Sequence, residues 1–131
     1  MKMRFLLSLA LAAASFAVLP GVVRAAGHPA PAAAPATVTG EVIDSACYIK
    51  GGSKGEAHAK CAQACAEAGI PLAILEDGTN KVIWVASKED MQTPNEQLKP
   101  YAGKKVVAKG TWAERGGARL LILNSVAPVG K

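Results

Sequence analysis

The stretch LAILEDGTNKVIWV, residues 72–85, predicts a β-hairpin. Residues 72–75 and 81–85 are mostly apolar and strand-like, and Asp77-Gly78 lies in the segment that joins them. An Asp-Gly pair between two such runs favours the tight turns of hairpins. Two neighbouring antiparallel strands are therefore expected in the middle of the chain.

Three further segments surround this hairpin. Residues 37–44 place two valines on one face, as a half-buried strand does. Residues 104–112 and 118–126 flank a Gly-Gly pair, which predicts a second hairpin. Between the two hairpins, residues 94–102 allow one or two helical turns. The predicted order is strand, insertion, hairpin, short helix and hairpin.

This order favours a mainly β domain with a five-stranded OB-like barrel. A small helix between the third and fourth strands is typical of that fold, and closing the sheet removes exposed strand edges. A meander or a half-open sandwich is the competing architecture. We predict that the domain covers residues 37–131, with a Cys/His-bearing helical insertion, residues 45–70, between the first two strands. Trp84 and Trp112 lie on predicted strands and are expected to fill the core.

The N-terminal segment has the pattern of an export signal. Lys2 and Arg4 precede an apolar run, and small residues around Ala25 suit a signal peptidase. We expect residues 1–25 to be removed, which leaves a periplasmic or secreted protein without a membrane span. Residues 26–36 are rich in Ala and Pro and predict an extended linker.

The charge of the chain gives no indication of a nucleic-acid partner. The formal net charge is +5, and loss of Lys2, Arg4 and Arg24 with the signal would reduce it to +2. A net charge this small is not the basic footprint that nucleic-acid binding requires. We therefore expect no nucleic-acid partner.

The cysteine content is the most informative part of the composition. The chain contains 3 cysteines, Cys47, Cys61 and Cys65. In an oxidising compartment an odd number leaves at least one sulfur free, bound to metal or paired with another chain. The three residues therefore need a chemical explanation beyond a set of internal disulfides.

Two of the cysteines lie on a predicted helix, residues 56–68, which is rich in Ala and ends before Gly69. At about 100° per residue, His58, Cys61 and Cys65 share a stripe roughly 60° wide on this helix. Cys47 follows the first strand, and the Gly-rich loop after it is long enough to fold back over the stripe. Three sulfurs and one imidazole can thus converge.

This convergence favours a metal site. Cys47, His58, Cys61 and Cys65 would form a Cys₃His set, which suits tetrahedral zinc, and thiolate-rich sites also suit Cu(I). Asp44 would accept a hydrogen bond from a ligand or replace one ligand. We therefore predict that the protein is a periplasmic metal-binding protein that acts as a carrier, a sensor or a structural metal domain. No complete catalytic motif accompanies these residues, which favours a binding protein over an enzyme.

Two alternatives use the same cysteines differently. Cys47 can pair with Cys61 or Cys65, giving a disulfide-stapled module without metal that docks onto another exported protein. A loop of this length closed by a disulfide stabilises a fold by about 3 kcal/mol. The other alternative is a thiol redox protein, although the chain lacks the C-x-x-C spacing typical of that chemistry.

Four motifs resemble those of small uncharacterised exported bacterial proteins. They are GEVIDSACY at residues 40–48, HAKCAQAC at residues 58–65, GIP at residues 69–71 and YAGKKVVAKGT at residues 101–111. The first is similar to a G-x-V-x-D-x-x-C strand, and the second to an H-x-x-C-x-x-x-C helix. The resemblance spans residues 38–127. It implies an OB-like fold and a Cys/His site, and it implies no activity.

Overall fold

The computed structural model describes residues 34–130, so the predicted export signal and nearly all of the predicted linker lie outside the described residues. The strands are β1 (Pro35–Asp44), β2 (Leu72–Glu76), β3 (Val82–Ser87), β4 (Lys105–Arg115) and β5 (Ala118–Pro128). The helices are α1 (Ser45–Gly51), α2 (Ala59–Glu67) and α3 (Asn95–Leu98), with 3₁₀ turns at Glu56–His58 and Lys99–Tyr101.

The five strands form a closed barrel in the order β1-β2-β3-β5-β4. The pairing of β3 with β5 is parallel, and the other pairings are antiparallel. This closure confirms the predicted OB-like barrel over the meander and the half-open sandwich. Helices α1 and α2 lie between β1 and β2, and α3 lies between β3 and β4.

Strand β1 begins at Pro35, two residues before the predicted start at Thr37. Pro35 lies opposite Thr111 of β4, and the Trp112 N–H donates to the carbonyl of Ala34 at 3.0 Å. Proline is tolerated at the first residue of a strand because no partner needs its missing N–H there. Residues 35–36 therefore belong to the barrel and not to the predicted linker.

Gly40 lies where β1 pairs on both sides, opposite Glu76 of β2 and Val106 of β4. A Cβ at this position would collide with the backbone carbonyl of Leu75. Only glycine fits at such a close backbone approach. Gly40 thus lets one strand take part in two neighbouring pairings and close the barrel.

The barrel interior holds one contiguous cluster of buried side chains, to which α2 contributes Ala62 and Ala66. The prediction that both tryptophans fill the core is right for one of them. Trp112 packs against this cluster, whereas Trp84 is 43% exposed. The prediction is wrong for Trp84 because its strand neighbours Ile83 and Val85 pack against the cluster, and alternation along β3 directs Trp84 to the outer face of the sheet.

Asn95, at the start of α3, joins the helical insertion to the barrel. Its Oδ1 accepts a hydrogen bond from the Leu72 N–H at 3.0 Å, and its Nδ2 donates to the carbonyls of Ala66 and Ile70 at 3.1 and 2.9 Å. Asn95 is only 1% exposed. One buried amide therefore fixes the end of α2 relative to the start of β2.

Candidate metal centre

Helix α1 positions Cys47, and Asp44 begins that helix. Asp44 Oδ1 accepts hydrogen bonds from the N–H groups of Ala46 and Cys47 at 2.9 and 3.1 Å. This is an N-cap, which satisfies backbone donors that the first helical turn leaves free. The Ser45 hydroxyl donates to the carbonyl of Pro71 at 2.7 Å. The first turn of α1, which carries Cys47, is therefore held to the start of β2.

Helix α1 was not predicted, because only a loop was expected between the first strand and the helix that carries Cys61 and Cys65. Two local signals were present in the sequence. Asp44 is a favoured N-cap residue, and Gly52, with a φ of 71°, follows the helix in the left-handed conformation that ends many helices. The helix is only 7 residues long, so the apolar periodicity that identifies longer helices could not develop.

Helix α2 positions Cys61 and Cys65. Its Ala62 and Ala66 are buried in the core cluster, and their small side chains let the helix backbone lie close to the barrel. Cys61 and Cys65 each precede one of these alanines, so both lie on an adjacent face one helical step away. The helix is shorter than the predicted residues 56–68, because residues 56–58 form a 3₁₀ turn that carries His58.

The segment between α1 and α2 is held by contacts with the barrel. The Gly55 N–H donates to the carboxylate of Glu41 in β1. A Cβ on Gly103 would collide with the backbone of Gly55, so the two glycines allow a close approach of the loop to the start of β4. These contacts place the 3₁₀ turn with His58 beside β1 and the start of β4.

The five predicted site residues fall into two overlapping groups. The Sγ atoms of Cys47, Cys61 and Cys65 all lie within 4.8 Å of one another. Donor atoms of Asp44, Cys47 and His58 also lie within 4.8 Å of one another. Cys47 belongs to both groups. The sequence predicted the approach of Cys47 to the paired sulfurs, and the structure adds that His58 groups with Asp44 instead of with Cys61 and Cys65.

Two buried polar atoms at this site have no hydrogen-bond partner of normal geometry. They are Oδ2 of Asp44 and Nε2 of His58. Asp44 as a whole is 1% exposed. Unpartnered buried polar atoms are rare because each loses its hydration without compensation. Both atoms are also potential metal ligands, so a bound cation would supply the partner that each lacks.

Burial tends to raise the pKa of Asp44, but neighbouring donors outweigh it. The Cys65 thiol, the Cys47 amide and thiol, and the Ala46 amide together hold the pKa of the Asp44 carboxyl below its ordinary value. The thiols are therefore near enough to stabilise the carboxylate, although neither makes a well-formed hydrogen bond to Oδ2. Asp44 is accordingly an anion at the centre of the site at neutral pH.

The Asp44 carboxylate in turn raises the pKa values of the neighbouring thiols. The adjacent Asp44 carboxylate, which favours the protonated thiol, is the largest cause that raises the pKa of Cys65 to about 12, followed by burial and the charges of Asp44, Cys61 and Cys47. Asp44 is also the largest cause of the raised pKa of Cys47. A redox-active thiol requires a lowered pKa, so these shifts do not favour the redox alternative.

The site is open to solvent on one side. Cys61 is exposed, whereas Cys47 and Cys65 are partly buried. An ion, or a ligand from another molecule, can therefore approach through the side on which Cys61 lies. This access distinguishes the site from a closed metal centre within a core.

The chain gave no significant match in comparisons with protein-family models, with curated proteins and with solved structures. Within residues 34–130, no helix is both long enough and apolar enough to span a membrane.

Proposed function

We propose that this protein binds a metal ion that prefers thiolate ligands, Cu(I) or Zn(II), and acts as an exported carrier or sensor of that ion. The observation that supports this most is the meeting of three sulfurs within 4.8 Å, beside two buried donor atoms that lack partners. Thiolates bind Cu(I) and Zn(II) strongly, and imidazole suits both ions.

The spacing of the sulfurs fits such an ion after a small contraction. With metal–sulfur bonds of about 2.3 Å, a trigonal site spaces its sulfurs by about 4.0 Å. The three Sγ atoms lie within 4.8 Å of one another, so closing around an ion needs movements of less than about 1 Å. Rotation of the cysteine side chains supplies movements of this size without rearranging the helices.

A carrier or sensor agrees better with the surroundings of the site than a structural metal domain does. In small structural metal domains the bound ion supplies much of the folding free energy. Here Ser45 anchors α1 to β2, and Asn95 anchors α2, so both helices are held by protein contacts. The exposed Cys61 also leaves a route for ligand exchange with a partner.

Export to the periplasm or beyond is the part of the proposal that comes from the N-terminal pattern. Residues 1–25 have the charged and apolar regions of a signal peptide. Fractionation of cells that produce the full chain, followed by the intact mass of the recovered protein, tests it. Recovery from the cytoplasm with an intact N-terminus would contradict export.

The metal itself is tested by elemental analysis of protein purified without chelators. Cys61→Ser removes one sulfur donor and should lose most of the bound metal. The matched control is Ala64→Ser, which introduces the same side chain at an exposed position of the same helix. Equal metal content in the two variants would refute the proposed function.

A disulfide-stapled interaction module is the second candidate, and the short distance between the sulfurs also supports it. The Sγ atoms of Cys47 and of either Cys61 or Cys65 would have to approach to about 2.05 Å to form the bond. Intact mass before and after reduction separates the two candidates, because reduction of one disulfide adds about 2 Da. That gain, in protein that contains no metal, would favour the staple.

A further inference from the structure

The two donor groups differ in chemistry and share one atom. Cys47, Cys61 and Cys65 offer three sulfurs, whereas Asp44, Cys47 and His58 offer an oxygen, a sulfur and a nitrogen. A thiolate sulfur is a soft ligand with several lone pairs, so it can bind two metal ions at once. The Cys47 sulfur lies within reach of both groups and is the one donor placed to do this.

A single ion would leave the Asp44 carboxylate in an unfavourable position. An ion bound by the three sulfurs requires them as thiolates, and a thiolate has no proton to donate. Oδ2 of Asp44, which is buried and unpartnered, would then face negative sulfurs with no donor. Buried charge of one sign is strongly destabilising unless an opposite charge accompanies it.

A second divalent cation removes this imbalance. Three thiolates and one carboxylate carry four negative charges, and two Zn²⁺ ions carry four positive ones, with His58 neutral. The second ion would take Oδ2 of Asp44 and Nε2 of His58, the two buried atoms that lack partners. Zinc accepts oxygen, nitrogen and sulfur ligands, so it suits this mixed donor set.

We infer that the site binds two zinc ions, one at Cys47, Cys61 and Cys65 and one at Asp44, Cys47 and His58, with the Cys47 thiolate shared between them. This inference rests on the proposed function and extends it from one ion to a pair. The ions would lie about 3.5–4 Å apart, the usual separation in two-metal sites.

Native mass spectrometry during titration with zinc chloride tests the pair in the wild-type chain. We expect saturation at two zinc ions per chain. Saturation at one ion would overturn the pair and leave the proposed function intact. No binding of zinc would overturn the pair as well, and elemental analysis for copper would then decide the proposed function independently.

Variants of the second group alone sharpen the test. Asp44→Asn keeps a favoured N-cap residue for α1 while it removes the anionic oxygen. His58→Ala removes the nitrogen ligand. Each should saturate at one zinc ion, and the Ala64→Ser control should still bind two. Circular dichroism verifies that the variants are folded. If both folded variants still bind two ions, the assignment of Asp44 and His58 to a second ion is wrong.

Discussion

Replacing Asn95 by alanine should strongly destabilise the protein, although the substitution removes only one small side chain. That side chain makes three hydrogen bonds, to the Leu72 amide and to the carbonyls of Ala66 and Ile70. Asn95→Ala leaves the Leu72 N–H and the Ile70 carbonyl without this partner, whereas the Ala66 carbonyl still accepts from the Gly69 N–H at 3.1 Å. Each unsatisfied buried group costs about 1–3 kcal/mol, so the loss from these two groups is roughly 2–6 kcal/mol.

Urea denaturation of metal-free protein measures this loss directly. Because domains of this size are stable by about 5–15 kcal/mol, the midpoint should fall by a large fraction of its wild-type value at an unchanged slope. Asn124→Ala is the matched control, since Asn124 is exposed on β5, and it should change the free energy of unfolding by less than about 0.5 kcal/mol.

Asn95→Asp separates the three hydrogen bonds from one another. The aspartate keeps an acceptor for the Leu72 N–H but offers no donor to the carbonyls of Ala66 and Ile70. Its loss of stability should therefore equal or exceed that of the alanine variant. A loss below about 1 kcal/mol for Asn95→Ala would refute the reasoning, because it would mean that the Leu72 N–H and the Ile70 carbonyl find other partners.

The site and the barrel support three other predictions. In metal-free protein at pH 8, iodoacetamide should modify the exposed Cys61 well before Cys65, because a pKa of about 12 keeps the Cys65 thiol protonated. The rate of Cys65 modification should rise with pH up to that value. Equal modification rates for the two cysteines at pH 8 would contradict the raised pKa of Cys65. Gly40→Ala should lower the free energy of unfolding by about 1–3 kcal/mol or more through overpacking, whereas Gly130→Ala, in open space, should leave it unchanged in the same urea assay. Zinc at a hundred times its dissociation constant should stabilise the folded chain by about 2.7 kcal/mol, which is measured as a higher melting temperature. A chelator should reverse this rise, and Cys47→Ser should abolish it. An equal rise in the melting temperature of the Cys47→Ser variant would mean that the ion binds elsewhere.

The barrel was predictable because its signals are local. The Asp-Gly and Gly-Gly turns and the apolar strand residues lie next to one another along the chain, so short windows contain them. The same holds for α2, whose alanines and following glycine are contiguous. Strand β1 extends beyond its prediction because its first residues are fixed by pairing with β4, and that pairing is not visible within β1 itself.

The approach of Cys47 to the sulfurs of α2 was predictable, and the division of the donor atoms into two groups was not. Helical periodicity places Cys61 and Cys65 on one face, and it places His58 there too if the helix is regular from residue 56. The 3₁₀ turn at Glu56–His58 changes that spacing. The role of Asn95 could not be foreseen, because its partners lie 23–29 residues away in sequence.

The methyl groups of Ala62 and Ala66 determine how deeply α2 sits on the barrel, and so how far its thiols lie from Cys47. A bulkier side chain at either position would lift the helix and widen the gap between the sulfurs. Under the proposed function, the affinity for an ion would therefore depend on two residues beneath the helix that no ion contacts. Differences in metal preference between proteins with this fold would then arise from the residues between the helix and the barrel as well as from the ligands.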